Sequence, residues 1–462
     1  MKSMRSTTRQ LRGSRRRSSR RTAPKAAGRS SVTQPSRQEL GYSAGYEDGK
    51  RAGMESFETL FDGTSIIIPT YNQAKYLKAC VESIGEHTDL PYEIIIIDNG
   101  STDETAAYLK EISTQVRYRI LEDNHGFAGA VNMGLMMAKG TTLMLLNNDV
   151  LVTDNWLDNL LACLNSEAKI GMVGPVTNYI SGDQQIDVPY TDVMDMYEFA
   201  RRNNESNPAR WVRTDRLVGF CLLFRRELLE KVGYLDEGFE IGNFEDDDFN
   251  IRVRLHGYSL VIAKDSFIHH FGSVSMKATG QQFEGINERN MRFYINKWGN
   301  PHELVHQVNE WRRLQEELAG TPPLLNGMID FYPQHVSVKG VGETVYWLAD
   351  GQRRPLMGPT MLPVVRLSQV DMCRYPIGEP IGADDPLVVA AITRPVDSVV
   401  TTSTDGTRYI VEAGKKRRIT TQDAAERWGL DRRYTHRMSD AELSSLPDGL
   451  PIIAPVVLHQ SL

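Results

Sequence analysis

The feature that most constrains the fold is an apolar run that passes directly into polar residues. Leu143–Leu146 is followed without interruption by Asn147, Asn148 and Asp149. An unbroken apolar run is typical of a strand that is buried on both faces, as at the centre of a parallel sheet. Polar side chains at the carboxyl end of such a strand lie where open α/β sheets bind ligands. We therefore expect a ligand site around Asp149.

Strand-like and helix-like patterns alternate around this run. Four consecutive isoleucines lead to Asp98, and an apolar stripe at helical spacing covers 76–84. A capping-box pattern at Ser101–Glu104 predicts the start of another helix. The alternation predicts an α/β fold with right-handed crossovers between parallel strands. The predicted strands are Ser65–Pro69, Glu93–Asp98, Arg117–Leu121, Thr142–Asn147, Ile170–Val173 and Leu217–Phe224, and the predicted helices include Gly126–Ala138, Asp154–Leu164 and Glu303–Leu318.

Composition favours a cytoplasmic protein with a basic arm. The chain of 462 residues has no apolar run of membrane-spanning length and no secretory signal, and its four cysteines are scattered. The net charge is −6, yet residues 1–40 contain 12 Lys or Arg and one acidic residue. This predicted disordered tail either binds a polyanion or an anionic membrane surface at the inner face of the membrane, or is merely solvated. An organelle transit peptide is a third reading.

The remaining chain divides into four segments by composition. A Gly-rich short helix or linker is expected at 41–62, the α/β domain at 63–300, a helical linker at 301–325 and a β-rich region at 326–462. Within the α/β domain, the polar stretch 178–212 is expected to be a mobile lid or a disordered loop.

The β-rich region contains an internal repeat. Val345–Arg354 resembles Arg408–Arg417, and each is followed by Gly-x-Pro-Ile, at Gly378–Ile381 and Gly449–Ile452. Each copy combines an alternating strand, a glycine turn and a basic return strand, as hairpins do. We expect two copies of one small β module. The aromatic residues of the strands either bind a sugar or a protein or form the core of the hairpins; they are Tyr346, Trp347 and Tyr409.

Six short motifs follow one another along residues 63–300. They are Ile66–Asn72, Ile97–Glu104, Asn124–Gly134, Leu146–Val150, Glu245–Arg252 and His270–Ser275. In type and order they resemble the motifs of family-2 glycosyltransferases. One motif alone would be weak evidence, whereas six in order are strong. The resemblance implies a GT-A fold, a nucleotide-diphosphate-sugar donor, a Mn²⁺ or Mg²⁺ ion and inverting glycosyl transfer.

The resemblance implies a donor site beyond the first two strands. Asp98 would accept N–H groups of the nucleotide base, because its alternative role as a helix cap already falls to Ser101. Tyr71 either stacks on the base or packs in the core. The turn Asn124–Gly129 allows a close approach to the nucleotide, unless its glycines serve packing alone. The expected donor-binding residues are Pro69, Tyr71, Asn72, Asp98, Asn99, Ser101, Asn124, Gly126, Asn132 and Asn148.

The metal site is expected at the end of the central strand. The family usually has Asp-x-Asp there, and this chain has Asn147-Asn148-Asp149. Asp149 is the expected ligand of Mn²⁺ or Mg²⁺, together with donor phosphates. His270 matches the histidine that completes this site in parts of the family. Neighbouring His269 competes for the role, and a satisfied core histidine is the alternative.

The catalytic base is expected in an acidic run. Inverting transfer needs a carboxylate to take the proton of the acceptor hydroxyl. By match to the family's Glu-Asp-x-Asp, Asp246 is the base beside Glu245, and neighbouring carboxylates would raise its pKa. Asp248 lies four residues before Arg252, which favours a structural ion pair. A solvated acidic helix start is the alternative. The expected acceptor-site residues are Gly219, Phe220 and Asp248.

These expectations describe an inverting, non-processive glycosyltransferase. It would move one sugar to a glycan, glycolipid or protein acceptor in bacterial cell-surface polysaccharide or glycoconjugate biosynthesis. Processive relatives carry Gln-x-x-Arg-Trp and membrane helices, and neither is found in the sequence. A nucleotidyltransferase would need a basic glycine-rich loop where this chain has Pro69–Asn72. The other alternative is a weak or inactive scaffold that binds partners through the β modules and the basic tail.

Overall fold

The computed structural model describes residues 59–272, 282–393, 399–401 and 406–459. The chain divides into two compact units, Met1–Thr59 and Leu60–Leu462, and the helices and strands below belong to the second. The expected basic tail at 1–40 and most of the Gly-rich segment at 41–62 lie outside the described residues.

A mixed sheet organises residues 61–270. The strands are β1 (Phe61–Thr70), β2 (Tyr92–Asp98), β3 (Arg117–Ile120), β4 (Gly140–Leu146), β5 (Val150–Leu151), β6 (Ile170–Val176), β7 (Trp211–Thr214), β8 (Cys221–Arg225), β9 (Ser259–Phe267) and β10 (His269–His270). The central sheet has the order β3-β2-β1-β4-β8-β6-β9-β7, in which β7 and β8 run antiparallel to their neighbours. A separate ribbon pairs β5 with β10. The α/β class and the mainly parallel sheet expected from the sequence are confirmed.

Helices cover both faces of this sheet. They are α1 (Ala74–His87), α2 (Thr105–Glu111), α3 (Gly126–Met137), α4 (Trp156–Ser166), α5 (Val193–Asn203), α6 (Arg226–Val232), α7 (Glu245–Leu255), α8 (Gln282–Trp298) and α9 (Pro301–Ala319). Strand side chains alternate between the two faces. Ile95 and Ile97 accordingly pack in the core cluster of α3, whereas Ile94 and Ile96 pack in that of α1. A Cβ on Gly134 would lie 2.3 Å from Ile67, so α3 sits directly on the sheet.

The capping box expected at Ser101–Glu104 is wrong. Helix α2 begins at Thr105, and the Ser101 hydroxyl accepts a hydrogen bond from the Asn72 N–H at 2.7 Å. Asp103 serves the helix start instead, because its Oδ1 accepts from the Thr105 N–H at 3.0 Å and its Oδ2 from the Ala74 N–H at 2.9 Å. Ser101 therefore bonds the backbone of a distant residue, Asn72, instead of capping the helix that follows it.

The expectation of a lid or disordered loop at 178–212 is also wrong. This stretch contains α5, a short 3-10 turn at Pro208–Arg210 and β7. Its asparagines act as buried clamps: Asn204 donates to Thr153 Oγ1 at 3.0 Å and accepts from the Phe267 N–H at 2.8 Å. Polar residues whose sequence is typical of a loop therefore attach this segment to β9 by hydrogen bonds.

Two small sheets follow α9. Their strands are β11 (Ser337–Lys339), β12 (Val345–Ala349), β13 (Gln352–Met357), β14 (Val364–Arg366), β15 (Ile381–Gly382), β16 (Val399–Thr401), β17 (Arg408–Glu412), β18 (Lys415–Arg418) and β19 (Thr435–Arg437), with helices α10 (Gln369–Arg374), α11 (Pro386–Thr393), α12 (Gln422–Arg427) and α13 (Asp440–Ser445). The strand orders are β14-β11-β12-β13-β15 and β18-β17-β16-β19. In each sheet, a short first strand lies between a parallel edge strand and the hairpin.

The two sheets repeat the same hydrogen bonds. The Gly378 N–H donates to Arg353 O at 3.0 Å, and the Gly449 N–H donates to Lys416 O at 2.8 Å. In both copies the turn of Gly-x-Pro-Ile thus pairs with the basic return strand of the hairpin. Trp347 is completely buried, which places this aromatic residue in the core rather than on a binding face.

Residues 301–459 share a hydrophobic core with the α/β domain. The cluster includes Ile251, Leu255, Trp298, Leu304, Val308, Leu348, Ile410, Trp428 and Ile452. Helices α7, α8 and α9 and both repeats therefore pack as one body. Among the residues that the structure describes, no helix combines the length and apolar character needed to cross a bilayer.

A buried ion triad connects α7 with α8. Lys297 Nζ lies 2.6 Å from Asp236 Oδ2 and also contacts Asp248, and the side chains of all three are at most 1% exposed. Asp248 also pairs with Arg252 on the next turn, as the sequence predicted. A buried charge of this kind is tolerated only when it is paired.

We expect Lys297→Ala to lower the free energy of unfolding by about 3 to 5 kcal/mol, because it leaves the buried Asp236 without its cation and leaves Asp248 with Arg252 alone. Arg313→Ala is the matched control, since Arg313 pairs with Glu317 at the surface and such pairs contribute about 0 to 1 kcal/mol. Urea unfolding followed by circular dichroism measures both. Equal effects would contradict a structural role for the triad.

Candidate functional site

A cavity of about 400 Å³ opens where β1, β2 and β4 end. This is the location that polar strand ends predict in an open α/β sheet. The residues that line it are Pro69, Thr70, Tyr71, Asn99, Asn124, Phe127, Asn147, Asn148, Asp149, Ile180, Val218, Gly219, Phe220, Ile241, Gly242, Asn243, Glu245, Asp246 and His270. A second cavity, of about 310 Å³, lies at 406–408 and 418–422 and contains no expected site residue.

The cavity gathers most, but not all, of the residues expected from the sequence. Those that line it are Pro69, Tyr71, Asn99, Asn124, Asn148, Asp149, Gly219, Phe220, Glu245, Asp246 and His270. Those that do not line it are Asn72, Asp98, Ser101, Gly126, Asn132 and Asp248. Asp149 and Asp246, which come from distant parts of the chain, thus face one space.

Asp98 lies beneath the cavity rather than in its wall. It is completely buried, its Oδ1 accepts the Ser101 N–H at 2.9 Å, and its Oδ2 has no hydrogen-bond partner within the described residues. Asn72 accepts from the Thr102 N–H at 2.8 Å, so it joins the loops after β1 and β2. Asn72 and Ser101 therefore hold together the loops at the ends of β1 and β2, and one carboxylate oxygen of Asp98 has no hydrogen-bond partner among the described residues there.

Asn99 fixes the loop that precedes α3. Its Nδ2 donates to Asn124 Oδ1 and to Gly126 O, both at 2.9 Å, and its Oδ1 accepts from the His125 N–H at 2.8 Å. Gly126 has φ +73°, and a Cβ there would lie 3.4 Å from the backbone of Ile241. The left-handed backbone favours a glycine at this position, whereas the distance to Ile241 would be an ordinary van der Waals contact.

Pairing of β5 with β10 brings His270 to Asp149. His270 is opposite Val150 in the ribbon, and His270 Nε2 lies 3.2 Å from Asp149 Oδ1. His270 Nδ1 is 2.7 Å from Tyr179 O, which can only accept, so in the neutral ring Nδ1 carries the hydrogen and the Nε2 lone pair faces the carboxylate. Two electron-pair donors this close fit a shared divalent cation.

His269 points elsewhere. Its Nδ1 lies 2.8 Å from the Tyr190 hydroxyl, and burial, followed by the neighbouring His270, lowers the pKa of His269 to about 4. The geometry thus favours His270 over His269 beside Asp149. Within the described residues, no group of three or more His, Cys, Asp or Glu side chains surrounds a common point, so a cation here would need ligands from the donor as well.

Asp246 is held at the start of α7. Its Oδ2 accepts the Gly219 N–H at 2.8 Å and its Oδ1 accepts the Asp247 N–H at 2.9 Å. Burial, followed by the Asp247 carboxylate, raises the pKa of Asp246 to about 6, and the Arg216 guanidinium limits the rise. A carboxylate with this pKa is ionised at neutral pH and still basic enough to accept a proton.

Glu245 differs from its neighbour. Burial, followed by the charge of Asp246, raises the pKa of Glu245 well above its usual value. Its Oε2 is buried and has no hydrogen-bond partner within the described residues. Of the two neighbouring carboxyl groups at the start of α7, Glu245 therefore favours the protonated form and Asp246 the ionised one.

Two expected site residues have structural roles in this fold. Asp248 is completely buried and bonds Arg252, Lys297 and Trp298; burial alone would raise its pKa, but these two cations lower it below the usual value. It therefore does not reach the acceptor side. Asn132 is also completely buried and bonds the backbone of Leu235, which directs its amide away from the cavity.

The sequence analysis missed the loop that precedes α7. Ile241, Asn243 and Phe244 have φ of +59°, +82° and +73°, values that cost a non-glycine residue about 1 to 2 kcal/mol each. Ile241 and Asn243 line the cavity. No sequence pattern reveals a left-handed Ile, although Gly242 beside the acidic run is a weak signal of an unusual turn.

Comparisons with known proteins agree with the first four of the six motifs. Residues 65–233 match the family model described as "Glycosyl transferase family 2". "Glycosyltransferase GlyG" of Streptococcus pneumoniae serotype 4 is 34% identical over 122 residues, which are 26% of this chain and 40% of that protein. "Chondroitin synthase" of Pasteurella multocida is 26% identical over 241 residues, which are 45% of this chain and 24% of that protein. The chain thus spans well under half of the length of these relatives.

Solved structures also resemble parts of the chain. "Crystal structure of GalNAc-T7 with UDP, GalNAc and Mn2+" has a TM-score of 0.38 at 16% identity and covers 56% of this chain and 58% of that one. Staphylococcus aureus TarS 1-349 has a TM-score of 0.34 at 20% identity and covers 45% of this chain and 60% of that one.

The family match includes the ends of β1, β2 and β4, where Tyr71, Asp98 and Asp149 lie, and stops at residue 233, before the acidic run and His270. Residues 65–233 of the chain therefore form a glycosyl transferase family 2 domain.

Proposed function

We propose that the protein is an inverting, metal-dependent glycosyltransferase that moves one sugar from a nucleotide-diphosphate sugar to an acceptor hydroxyl. The observation that carries the proposal is the common cavity, which Asp149, His270 and Asp246 all line. The family 2 domain at residues 65–233 supports the reaction class. The acceptor would be a glycan, a glycolipid or a protein. A cytoplasmic location and a contact of the basic tail with a polyanion or an anionic membrane surface belong to the same proposal.

The donor would bind along the ends of β1 and β2. Tyr71 lines the cavity with 41% of its surface exposed, which leaves its ring free to stack on the base. Asp98 Oδ2 is buried outside the cavity lining and has no hydrogen-bond partner among the described residues, so it would accept an N–H of the base once the loops after β1 and β2 move aside for the donor. Asn99 and Asn124 would complete this side.

Asp149 and His270 would hold Mn²⁺ or Mg²⁺ together with the donor phosphates. When bound there, the cation would supply positive charge for the departing diphosphate. The observation that fits a cation is the buried Nε2 of His270, which faces Asp149 Oδ1 and has no hydrogen-bond partner among the described residues. The hydrogen bond to Tyr179 O fixes the ring in the ligating tautomer.

Asp246 would act as the general base. As the acceptor oxygen attacks the anomeric carbon, its proton would pass to Asp246, and the bond to the diphosphate oxygen would break on the opposite face, which inverts the anomeric centre. The Gly219 N–H fixes the orientation of the carboxylate. Gly219 and Phe220 would border the acceptor because they adjoin Asp246 in the cavity.

We expect Asp149→Ala to lower Mn²⁺-dependent release of nucleoside diphosphate from a panel of nucleotide sugars by about 100-fold or more, since even outer-shell changes at metal sites cost 10- to 100-fold. Asp154→Ala is the control, because Asp154 is half-exposed and pairs with His87. Full release by the Asp149 variant would contradict the metal assignment.

Asp246→Asn should bind donor but transfer poorly. We expect thermal stabilisation by nucleoside diphosphate with Mn²⁺ to match that of the wild type, because ligand binding to the folded state raises stability by mass action. Turnover should fall by about 10² to 10⁴-fold, the usual contribution of a general base. Asp215→Asn, an exposed carboxylate paired with Arg254, is the control. Normal turnover in the Asp246 variant would assign the base to another residue.

The rate should depend on pH through Asp246. A base must be ionised, so kcat/KM should fall about tenfold per unit as the pH drops below about 6. Arg216→Ala removes the cation that lowers this pKa, so the acid limb should move to higher pH. Arg213→Ala, which removes an exposed pair with Glu167 and a hydrogen bond to Ser259 outside the cavity, should leave the profile unchanged. An unchanged profile in the Arg216 variant would contradict the role of Asp246.

A further inference from the structure

The loop Glu240–Phe244 determines where the catalytic helix begins. Ile241 and Asn243 line the cavity, and Glu245 follows the loop directly. The Phe244 carbonyl accepts the Asp248 N–H at 2.9 Å, so the left-handed Phe244 is part of the first turn of α7. A shift of this loop would therefore displace the carboxylates of the helix start.

Asn290 of α8 binds this loop with its whole side chain. Its Oδ1 accepts the Glu240 N–H at 2.9 Å, and its Nδ2 donates to Glu240 O and Gly242 O at 2.9 Å and to Asn243 O at 3.3 Å. Asn290 is only 1% exposed. A buried carboxamide that donates to three carbonyls and accepts from one N–H specifies the path of the backbone between them.

Other contacts of the loop are weaker or of a different kind. Arg289 pairs with Glu240 at the surface, where both side chains are at least half-exposed. The Phe127 N–H donates to Ile241 O at 2.6 Å and links the loop to the donor side. Asn290 is thus the buried side chain that joins the strained backbone to a helix outside the cavity.

We propose that Asn290 is a positioning residue for glycosyl transfer, because its carboxamide holds the left-handed loop 241–244 in the shape that directs Glu245 and Asp246 into the cavity. This inference rests on the proposed function. It assigns Asn290 no contact with donor or acceptor, so its effect should be on turnover and not on donor affinity.

Asn290→Ala and Asn290→Asp test the proposal. Asp keeps the acceptor for the Glu240 N–H but presents an oxygen to the three carbonyls. Neither variant should therefore hold the loop in its shape. We expect kcat for nucleoside diphosphate release to fall at least about tenfold, since small misplacements of catalytic groups cost up to 10²-fold. KM for the donor should stay within about threefold, as expected when an interaction acts only on the transition state.

Asn159→Ala is the matched control. Asn159 is 3% exposed and donates to Asn204 O at 2.9 Å and Asp265 O at 2.6 Å, so it clamps backbone carbonyls outside the cavity. We expect the control to lower the melting temperature and leave kcat unchanged. A kcat of the folded Asn290 variants equal to that of the control would overturn the proposal.

Hydrogen exchange separates this proposal from the proposed function. In Asn290→Ala, amides of 240–248 should exchange faster than in the wild type, whereas Asn159→Ala should leave them unchanged. This measurement needs no turnover, so it applies even if the wild type released no nucleoside diphosphate. Unchanged exchange at 240–248 in both Asn290 variants would overturn the clamp regardless of the reaction.

Discussion

The candidate site depends on a buried cation, the ammonium group of Lys297, which does not line the cavity. Lys297 is buried between Asp236 and Asp248, and Asp236 also accepts the Val457 N–H at 3.0 Å. One ammonium group therefore connects α8, α7 and a distant part of the β-rich region. Because a buried carboxylate without a partner is costly, these segments must assemble together.

The acidic run shows how position on a helix separates chemically similar groups. Successive residues of an α-helix point in directions about 100° apart. Asp247 pairs with Arg216 near the surface, and Asp248 is neutralised in the core. Of this run, only Glu245 and Asp246 line the cavity. Burial raises the pKa of both, but the Arg216 guanidinium and the Gly219 and Asp247 N–H groups limit the rise for Asp246, whereas the charge of Asp246 adds to the rise for Glu245. The four acidic residues are alike in sequence, but each side chain occupies a different environment.

Sequence patterns predicted the parts of the fold that depend on burial. The isoleucines before Asp98 and the run before Asn147 are buried strands, and the alternation of elements is the α/β fold. The sequence patterns gave wrong predictions where a polar side chain can form a hydrogen bond with either a nearby or a distant partner. Ser101 bonds a distant backbone instead of its own helix, and Asn204 clamps strand β9 instead of forming a loop.

The site was predictable to the extent that its residues stand at strand ends or in the acidic run. Asp149, Asp246 and His270 meet in the cavity, whereas the depth of Asp98 depends on how the loops close above it. Asn290 could not be predicted, because its role depends on a loop conformation that an Ile rarely adopts. Tertiary contacts, and not local conformational preference, determine both the depth of Asp98 and the role of Asn290.

The duplicated β modules share one hydrophobic core with helices α7, α8 and α9. Leu348 of the first copy and Trp428 of the second pack in the same cluster as Leu255. In linear repeat arrays each unit contacts only its neighbours, so units can be gained or lost during evolution. Here each copy completes the interior that the other copy and α7 need. Copy number should therefore be invariant among proteins that share this architecture.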